Sequence, residues 1–421
     1  MSGPRTGGII AAVPVEFRSI RPEELAQFAD VNLTAFGERA DPWHERWFRE
    51  RVRPQETIAA FADGQMVGSS LAFPLELALP GTVVTASGVT AVGVLPTHRR
   101  RGLLREMMTR QLLGARDQGL AMAVLWASEG AIYSRFGFGP AARSWRVALE
   151  HPRAQLVPLP MSGSLRMVGR DEALRRFPPL HDHLLQSRPG TIGRDQRAWE
   201  MSLSEDDPHL PRDEARLFLV VHQGDGGDDG YLVYRIRQAW SALGARSTLL
   251  ISEMVANAPG AAADMWRYCL AVDLVHRVEA SGRGLRPLDD PILWLAKDPQ
   301  ALELGLGTTI WARIIDVPEV LSARRYQRDG DLTIEVSDPV EHLAEGRFRL
   351  HVANGVGECR RTESSPDLIL GVSELSSACL GQRCLTDLAA AGRLSMGDPA
   401  AARRADDLLA WDPPPWCFED F

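Results

Sequence analysis

The sequence predicts a mixed α/β and α+β chain in three consecutive blocks, and three observations carry that expectation. Residues 1–150 alternate strand-like and helix-like patterns. A strand–loop–helix order at 85–116 recurs at 248–279. From about residue 303 onward, strands, Asp/Gly turns and helices mix in an α+β manner. A length of 421 residues suits several domains of roughly 100–200 residues.

The apolar run 7–15 predicts a first strand rather than a secretory leader. It is short, lacks a small-residue cleavage site and leads straight into Glu16 and Arg18. Residues 22–36 have helical spacing, and 56–62 and 66–79 read as strands around the Asp63-Gly64 turn. Residues 85–95, rich in Val and Thr, form a further strand. Residues 103–116 are amphipathic, with Leu103, Leu104, Met107, Met108 and Leu112 on one face. Residues 120–127 are almost all apolar, as a buried central strand requires, and a short helix then approaches Phe136-Gly137-Phe138.

The second block reads as a helix at 170–186, a loop at Arg188-Pro189-Gly190, and a hairpin either side of 224–230. A strand at 248–255 and a helix at 261–279 follow. The loop between these last two, Ala256-Asn257-Ala258-Pro259-Gly260, has no arginine, so the repeat reads as a structural duplicate without a ligand loop. The third block has strands at 332–336, 346–352 and 355–361, and helices near 318–325, 372–380 and 400–409. Most termini fray. The last residues, Trp411-Asp-Pro-Pro-Pro-Trp416-Cys-Phe418-Glu-Asp-Phe421, are instead stiff and aromatic, which predicts that they dock into a groove.

Composition excludes several classes. Asp and Glu outnumber Lys and Arg 55 to 47, for a net charge of −8, so neither nucleic acid nor an anionic membrane surface is expected as a partner. No apolar run reaches the ~20 residues of a membrane span, and a cytoplasmic location is expected. The 5 cysteines form no CxxC pair, which excludes a disulfide scaffold and a zinc ribbon and suits a reducing compartment. His181-Asp182-His183 reads as a polar helix face, and 225–230 as a hairpin turn without calcium-loop spacing. No metal is expected.

The chemistry concentrates at Val92-Gly93-Val94-Leu95-Pro96-Thr97-His98-Arg99-Arg100-Arg101-Gly102-Leu103-Leu104. A strand ends, an arginine-rich turn with one glycine follows, and a helix begins at once. Unpaired amides and the positive end of the helix dipole make such a turn an anion site, and adjacent arginines can pair with a further phosphate. Three arginines alone would as readily be a solvated turn. The reading sharpens with Ser128-Glu129 after a buried strand, followed by Tyr133-Ser-Arg-Phe-Gly137-Phe138.

On these residues the chain resembles the GNAT superfamily of acyl-CoA N-acyltransferases. Arg99-x-x-Gly102-x-Leu104 approximates its pyrophosphate loop, with Leu104 where Gly or Ala is usual, and Tyr133-x-x-x-Gly137-Phe138 resembles its tyrosine–glycine–phenylalanine element. Together with the Ala127-Ser-Glu-Gly130 turn, Gly137-Phe-Gly-Pro140 and the aromatic tail, the whole chain resembles the enhanced intracellular survival (Eis) family. That resemblance implies a GNAT domain at 1–152, a degenerate GNAT-like domain at 153–302, and a sterol-carrier-protein-like domain at 303–421 whose tail enters the active site. It also implies a homo-hexamer that transfers acetyl groups from acetyl-CoA to small-molecule amines, aminoglycosides at several positions among them.

By the same resemblance Tyr133 is the general acid beside the departing thiolate, and the Phe421 carboxylate is the general base. The backbone of Val92, Gly93 and Val94 would meet the pantetheine amides. Arg100, Arg101, Gly102, Leu103, Leu104 and Arg105 would face the phosphates. Arg99 serves the 3′-phosphate or the fold, and Ser128 and Glu129 lie near the pantetheine arm. Asp41, Trp43, Glu419 and Asp420 are the acceptor candidates, since carboxylates and an aromatic face suit polyamines. With no cysteine near the motif, transfer is expected to be direct. Protein lysine or polyamines as acceptors, and a lipid- or acyl-CoA-binding protein with a vestigial GNAT half, remain alternative readings.

Overall fold

The computed structural model describes residues 15–150, 154–205, 216–242, 244–419 and 421. The chain divides into two compact units, Met1–Phe73 with Val89–Leu113, and Pro74–Gly88 with Gly114–Phe421. The strand expected at 7–15 lies outside the described residues except for Val15, which opens the strand Val15–Arg18.

In the first unit, Val15–Arg18 pairs antiparallel with Ala59–Ala62, which pairs in turn with the start of Gln65–Leu79. The connecting Asp63 and Gly64 both take left-handed φ values of 51° and 75°, the backbone that a tight hairpin turn favours. Strand alternation sorts the side chains to two faces. Ala59 and Phe61 pack with Phe28, Val31, Leu33 and Phe48 from the helices Leu25–Phe36 and Pro42–Arg51. Ala60 and Ala62 pack with Leu103 and Met107 at the start of the helix Leu103–Asp117.

In the second unit, Met122–Trp126 pairs parallel with Thr82–Val94 at Ser87↔Ala123 and Gly88↔Val124. Its other edge is taken by Ile310–Ile314, which runs antiparallel and also pairs with Gly139–Pro140. A second sheet has seven strands in the order Leu302–Thr308, Arg143–Glu150, Val275–Ala280, Ser247–Ala256, Gly227–Arg237, Phe218–Gly224, Ser164–Met167. Arg143–Glu150 thus leaves the sheet that holds Gly139–Pro140 and inserts into the next, while Ile310–Ile314 travels the other way. This reciprocal exchange ties the two sheets together through the chain and its backbone hydrogen bonds.

The helix expected at 261–279 is corrected by the structure: it stops at Ala271, and Val275–Ala280 is a strand paired parallel with Ser247–Ala256. Leu274 takes a left-handed φ of 64°, which breaks the helix, and the β-branched Val275 and Val278 are buried on the sheet.

The third block is a five-stranded sheet ordered Val356–Arg361, Gly346–Ala353, Gly330–Ser337, Leu368–Gly371, Leu394–Met396. Arg324, fully buried, staples its helices. It donates to the carbonyls of Cys379 at 2.9 Å and Leu409 at 2.6 Å, at the C-terminal ends of Val372–Ala378 and Ala401–Leu409. Cations are favourable there, where carbonyls lack intrahelical partners.

Candidate active site

The arginine turn belongs to the first unit. Ala91 takes a left-handed φ of 49°, a local kink in the strand just before Val92. Its carbonyl accepts from Ser69 Oγ at 3.0 Å. Gly93 lacks a side chain for a packing reason: a Cβ there would lie 2.8 Å from that of Ala35. Arg99 donates to Val94 O at 3.3 Å and Ala35 O at 2.8 Å, so its guanidinium ties the strand end to the helix Leu25–Phe36. Of the two roles expected for Arg99, the contacts described serve the fold.

Arg100, Arg101, Gly102 and Arg105 are exposed, Leu103 is buried and Leu104 half-buried. Arg100 and Gly102 take φ values of 63° and 82° and turn the chain into the Leu103–Asp117 helix. A Cβ on Gly102 would meet nothing within 4 Å, so that glycine is required by conformation, with open space before it. First-turn amides, which have no partner within a helix, exposed arginines and an uncrowded glycine suit the pyrophosphate of a CoA thioester.

Tyr133 lies in the second unit, at the end of the short helix Gly130–Tyr133. It is buried, stands edge-on to Phe138 at 6.1 Å, and hydrogen-bonds to the exposed Ser128. Burial raises its pKa, partly offset by Ser128, so the phenol holds its proton above neutral pH. Glu129 is exposed beside Ser128.

The glycines around Tyr133 are sites of close approach. A Cβ on Gly130 would strike the Trp311 ring at 2.6 Å, and one on Gly139 would lie 2.0 Å from Ser373 O. Gly137 has φ 81° and faces Arg313 and Val372. Arg313 donates to Phe136 O, and Ser373 Oγ to Phe138 O at 2.9 Å. The tyrosine turn is therefore clamped by the exchanged strand Ile310–Ile314 and by the third-block helix Val372–Ala378. No pattern around residues 313 or 373 announced that role.

The tail docks into the second block, within the same unit. Trp416 and Phe418 join the core of Phe177, Leu180, Trp199, Tyr231 and Val233. Trp416 N donates to Pro189 O at 2.9 Å and its indole to Leu285 O at 3.0 Å. Phe421 is buried, its ring 3.3 Å from where a Cβ on Gly88 would sit.

Of the acceptor candidates, Asp41 caps the helix Pro42–Arg51, accepting from the amides of Trp43 and His44 at 2.9 and 3.0 Å. Trp43 is half-buried on that helix. Glu419 is buried, with one oxygen 2.9 Å from His181 Nε2 and the other accepting from Arg194 Nε at 2.8 Å, so both are engaged internally. Asp420 lies outside the described residues. His181, expected on a polar face, is instead fully buried: it shares the stripe of Phe177, Leu180 and Leu184, which helical spacing places together. Sequence reasoning missed Arg194 and Glu253, which carry no motif.

Among the described residues no cluster of three or more His, Cys, Asp or Glu could hold a metal ion, and no helix is long and apolar enough to cross a membrane. Residues 16–141 and 190–314 each match the acetyltransferase (GNAT) domain family, and 317–418 match the sterol carrier protein domain. An uncharacterized N-acetyltransferase of Streptomyces griseus is 32% identical over 97% of this chain and all of its own length. The N-acetyltransferase Eis of Mycobacterium bovis is 33% identical, covering 83% of this chain and 84% of its own. The crystal structure of Eis1 from Mycobacterium abscessus superimposes with a TM-score of 0.82 at 28% identity, over 96% of this chain and 100% of that one.

Proposed function

Because the chain belongs to the Eis-type GNAT N-acetyltransferases, we propose that it acetylates primary amines, aminoglycoside amines among them, by direct transfer from acetyl-CoA. The observation that carries this reading is Tyr133: a buried phenol held in its neutral form beside an exposed serine, on a turn braced from two other parts of the fold. Acetyl-CoA supplies the activated thioester. Arg100, Arg101 and Arg105, with the amides of Gly102, Leu103 and Leu104, hold its phosphates, and the backbone of Val92 to Val94 aligns the pantetheine arm.

A primary ammonium must lose a proton before it can attack. The Phe421 carboxylate takes that proton, directly or through a water. An ordinary α-carboxyl has pKa ~3.3–3.7 and is a weak base, which favours relay of the proton through a water. Tyr133 delivers a proton to the leaving thiolate. Ser128 and Glu129 border the pantetheine arm, and Trp43 and Asp420 are the acceptor contacts in this reading. Asp41 holds Trp43 on its helix, and Glu419 acts within the tail. The reading includes a cytoplasmic homo-hexamer, which sedimentation velocity checks.

Thiol release from acetyl-CoA in the presence of kanamycin, with an untagged C-terminus, tests the function. Turnover in the wild type that collapses in Tyr133→Phe and in protein lacking Phe421 is the expected result. Release with lysine peptides or polyamines but not kanamycin would move the acceptor to those classes. No release with any of the three would leave the sterol carrier protein match of residues 317–418 to carry a binding function instead.

A further inference from the structure

Apolar anchors hold a segment without specifying its register, because a ring can shift along a greasy groove at small cost. Buried polar groups do specify register, since each slip leaves donors and acceptors unpaired. The last residues of this chain have both. Trp416 and Phe418 supply the apolar hold. Glu419 supplies a polar one, two positions before the terminal carboxylate.

Two groups meet Glu419, His181 and Arg194, and a third, Glu253, holds the arginine from behind; the three come from separate segments of the second block. His181, in the helix Arg170–Ser187, is fully buried and offers Nε2; its Nδ1 has no hydrogen-bond partner among the described residues, so Glu419 is its described polar contact. Arg194, with a side chain 3% exposed, gives Nε to Glu419 and its two terminal nitrogens to Glu253 at 3.0 and 2.9 Å. Glu253, in the strand Ser247–Ala256, also accepts from Tyr231 at 3.2 Å. The rings of Trp199 and Phe418 lie 4.6 and 5.5 Å from the Arg194 guanidinium and shut the site from water. With the aromatic rings seated but Glu419 out of place, His181 Nε2 and Arg194 Nε would be buried donors without that acceptor, a cost that the correct register of the tail avoids.

We propose that His181, Arg194 and Glu253 form a socket that receives Glu419 and thereby fixes the terminal carboxylate of Phe421, making all four positioning residues for the amine transfer. The inference rests on Phe421 acting as the base, and it reassigns Glu419 from the acceptor site to the tail's own anchorage. Charge complementarity supports it. Arg194 faces both Glu253 and Glu419, and although burial acts downward, those two charges raise its pKa well above the usual guanidinium value.

Glu419→Ala is the informative variant, because Arg194 keeps Glu253 as counter-ion and the core is not left with an unpaired charge. Two readouts are needed on the intact protein: the rate at which carboxypeptidase A releases Phe421 under native conditions, and kcat with KM for acetyl-CoA. The expected result is at least a tenfold faster release of phenylalanine, a kcat reduced toward that of protein lacking Phe421, and an acetyl-CoA KM within about twofold of wild type. Glu419→Ala added to the Phe421 deletion should lower kcat no further, and Glu419→Gln, which keeps the shape and one acceptor, should recover part of both effects. Phenylalanine release as slow as in wild type would overturn the socket. Faster release with unchanged kcat would uphold the socket and remove the Phe421 carboxylate from the mechanism.

Discussion

Arg313 donates from Nε to the carbonyl oxygen of Phe136 at 2.7 Å. The same guanidinium grips Asp338 through Nη2 at 2.7 and 2.8 Å, with both side chains fully buried. The turn that carries Tyr133 is thus held by the exchanged strand Ile310–Ile314 and, through Arg313, by Asp338. The third block thus braces the Tyr133 turn as well as supplying the tail.

That brace makes Asp338 sensitive. Asp338→Ala leaves a buried guanidinium without a counter-ion, and breaking such a pair costs about 3–5 kcal/mol. Asp338 also accepts from the amides of Val340 and Ala344, which adds to the loss. Chemical denaturation should report a destabilisation of that order. At a temperature where the variant is still folded, kcat should fall with little change in the acetyl-CoA KM.

Tyr133→Phe removes a proton donor and one hydroxyl from a buried site. A positioned acid contributes roughly 10²–10⁴-fold, so kcat should drop by about that much while the acetyl-CoA KM stays within about twofold. The phenol's pKa is raised by burial; a raised acid loses its proton only above the ordinary value of about 10. The kcat profile of the wild type should therefore show no falling alkaline limb up to pH 9.5. A limb centred near pH 8 would assign the acid to another group.

Much of this was legible in the sequence, and the exceptions have physical causes. The strand–turn–helix of 85–116 was readable because alternation, arginines and a single glycine coincide at one place. The helix predicted over 261–279 overran because Val272, Val275 and Val278 recur at helical spacing, whereas the left-handed Leu274 interrupts the helix and the residues after it join the sheet. The reciprocal exchange of Arg143–Glu150 and Ile310–Ile314 was invisible: alternation says that a strand has a buried face, not which sheet supplies its partners. His181 looked polar by residue type although its spacing placed it on the apolar stripe. Arg194, Glu253, Arg313 and Asp338 meet only through long-range contacts that no local pattern encodes.

The arginines of the turn should separate by role. Arg100 and Arg101 are exposed, so replacing both with Ala should leave the melting temperature within about 1 °C, as surface changes usually do. Loss of two phosphate contacts should raise the acetyl-CoA KM about tenfold or more. Arg99→Ala removes the bonds to Val94 O and Ala35 O and should cost about 1–2 kcal/mol of stability. An unchanged KM in the double variant, or an unchanged melting temperature in Arg99→Ala, would refute the corresponding assignment.

Glu419 also predicts a dependence of stability on acid. Its carboxyl is lowered from 4.5 to about 2; burial acts upward, but the Arg194 charge and the contacts with His181 outweigh it. The groups facing it are His181 and Arg194, with Glu253, Tyr231 and Arg283 behind the arginine. A depressed folded-state pKa stabilises the fold above the unfolded value and loses that contribution as pH falls through the folded one. Wild type should therefore exceed Glu419→Gln in stability at pH 6–7. That advantage should shrink steadily between about pH 4.5 and 2, while the other carboxylates cancel in the difference. Urea unfolding of the two proteins at half-unit intervals of pH measures it directly. A difference that stays constant down to pH 2.5 would mean that Glu419 is held by shape alone, and that its charge contributes nothing to anchoring the tail.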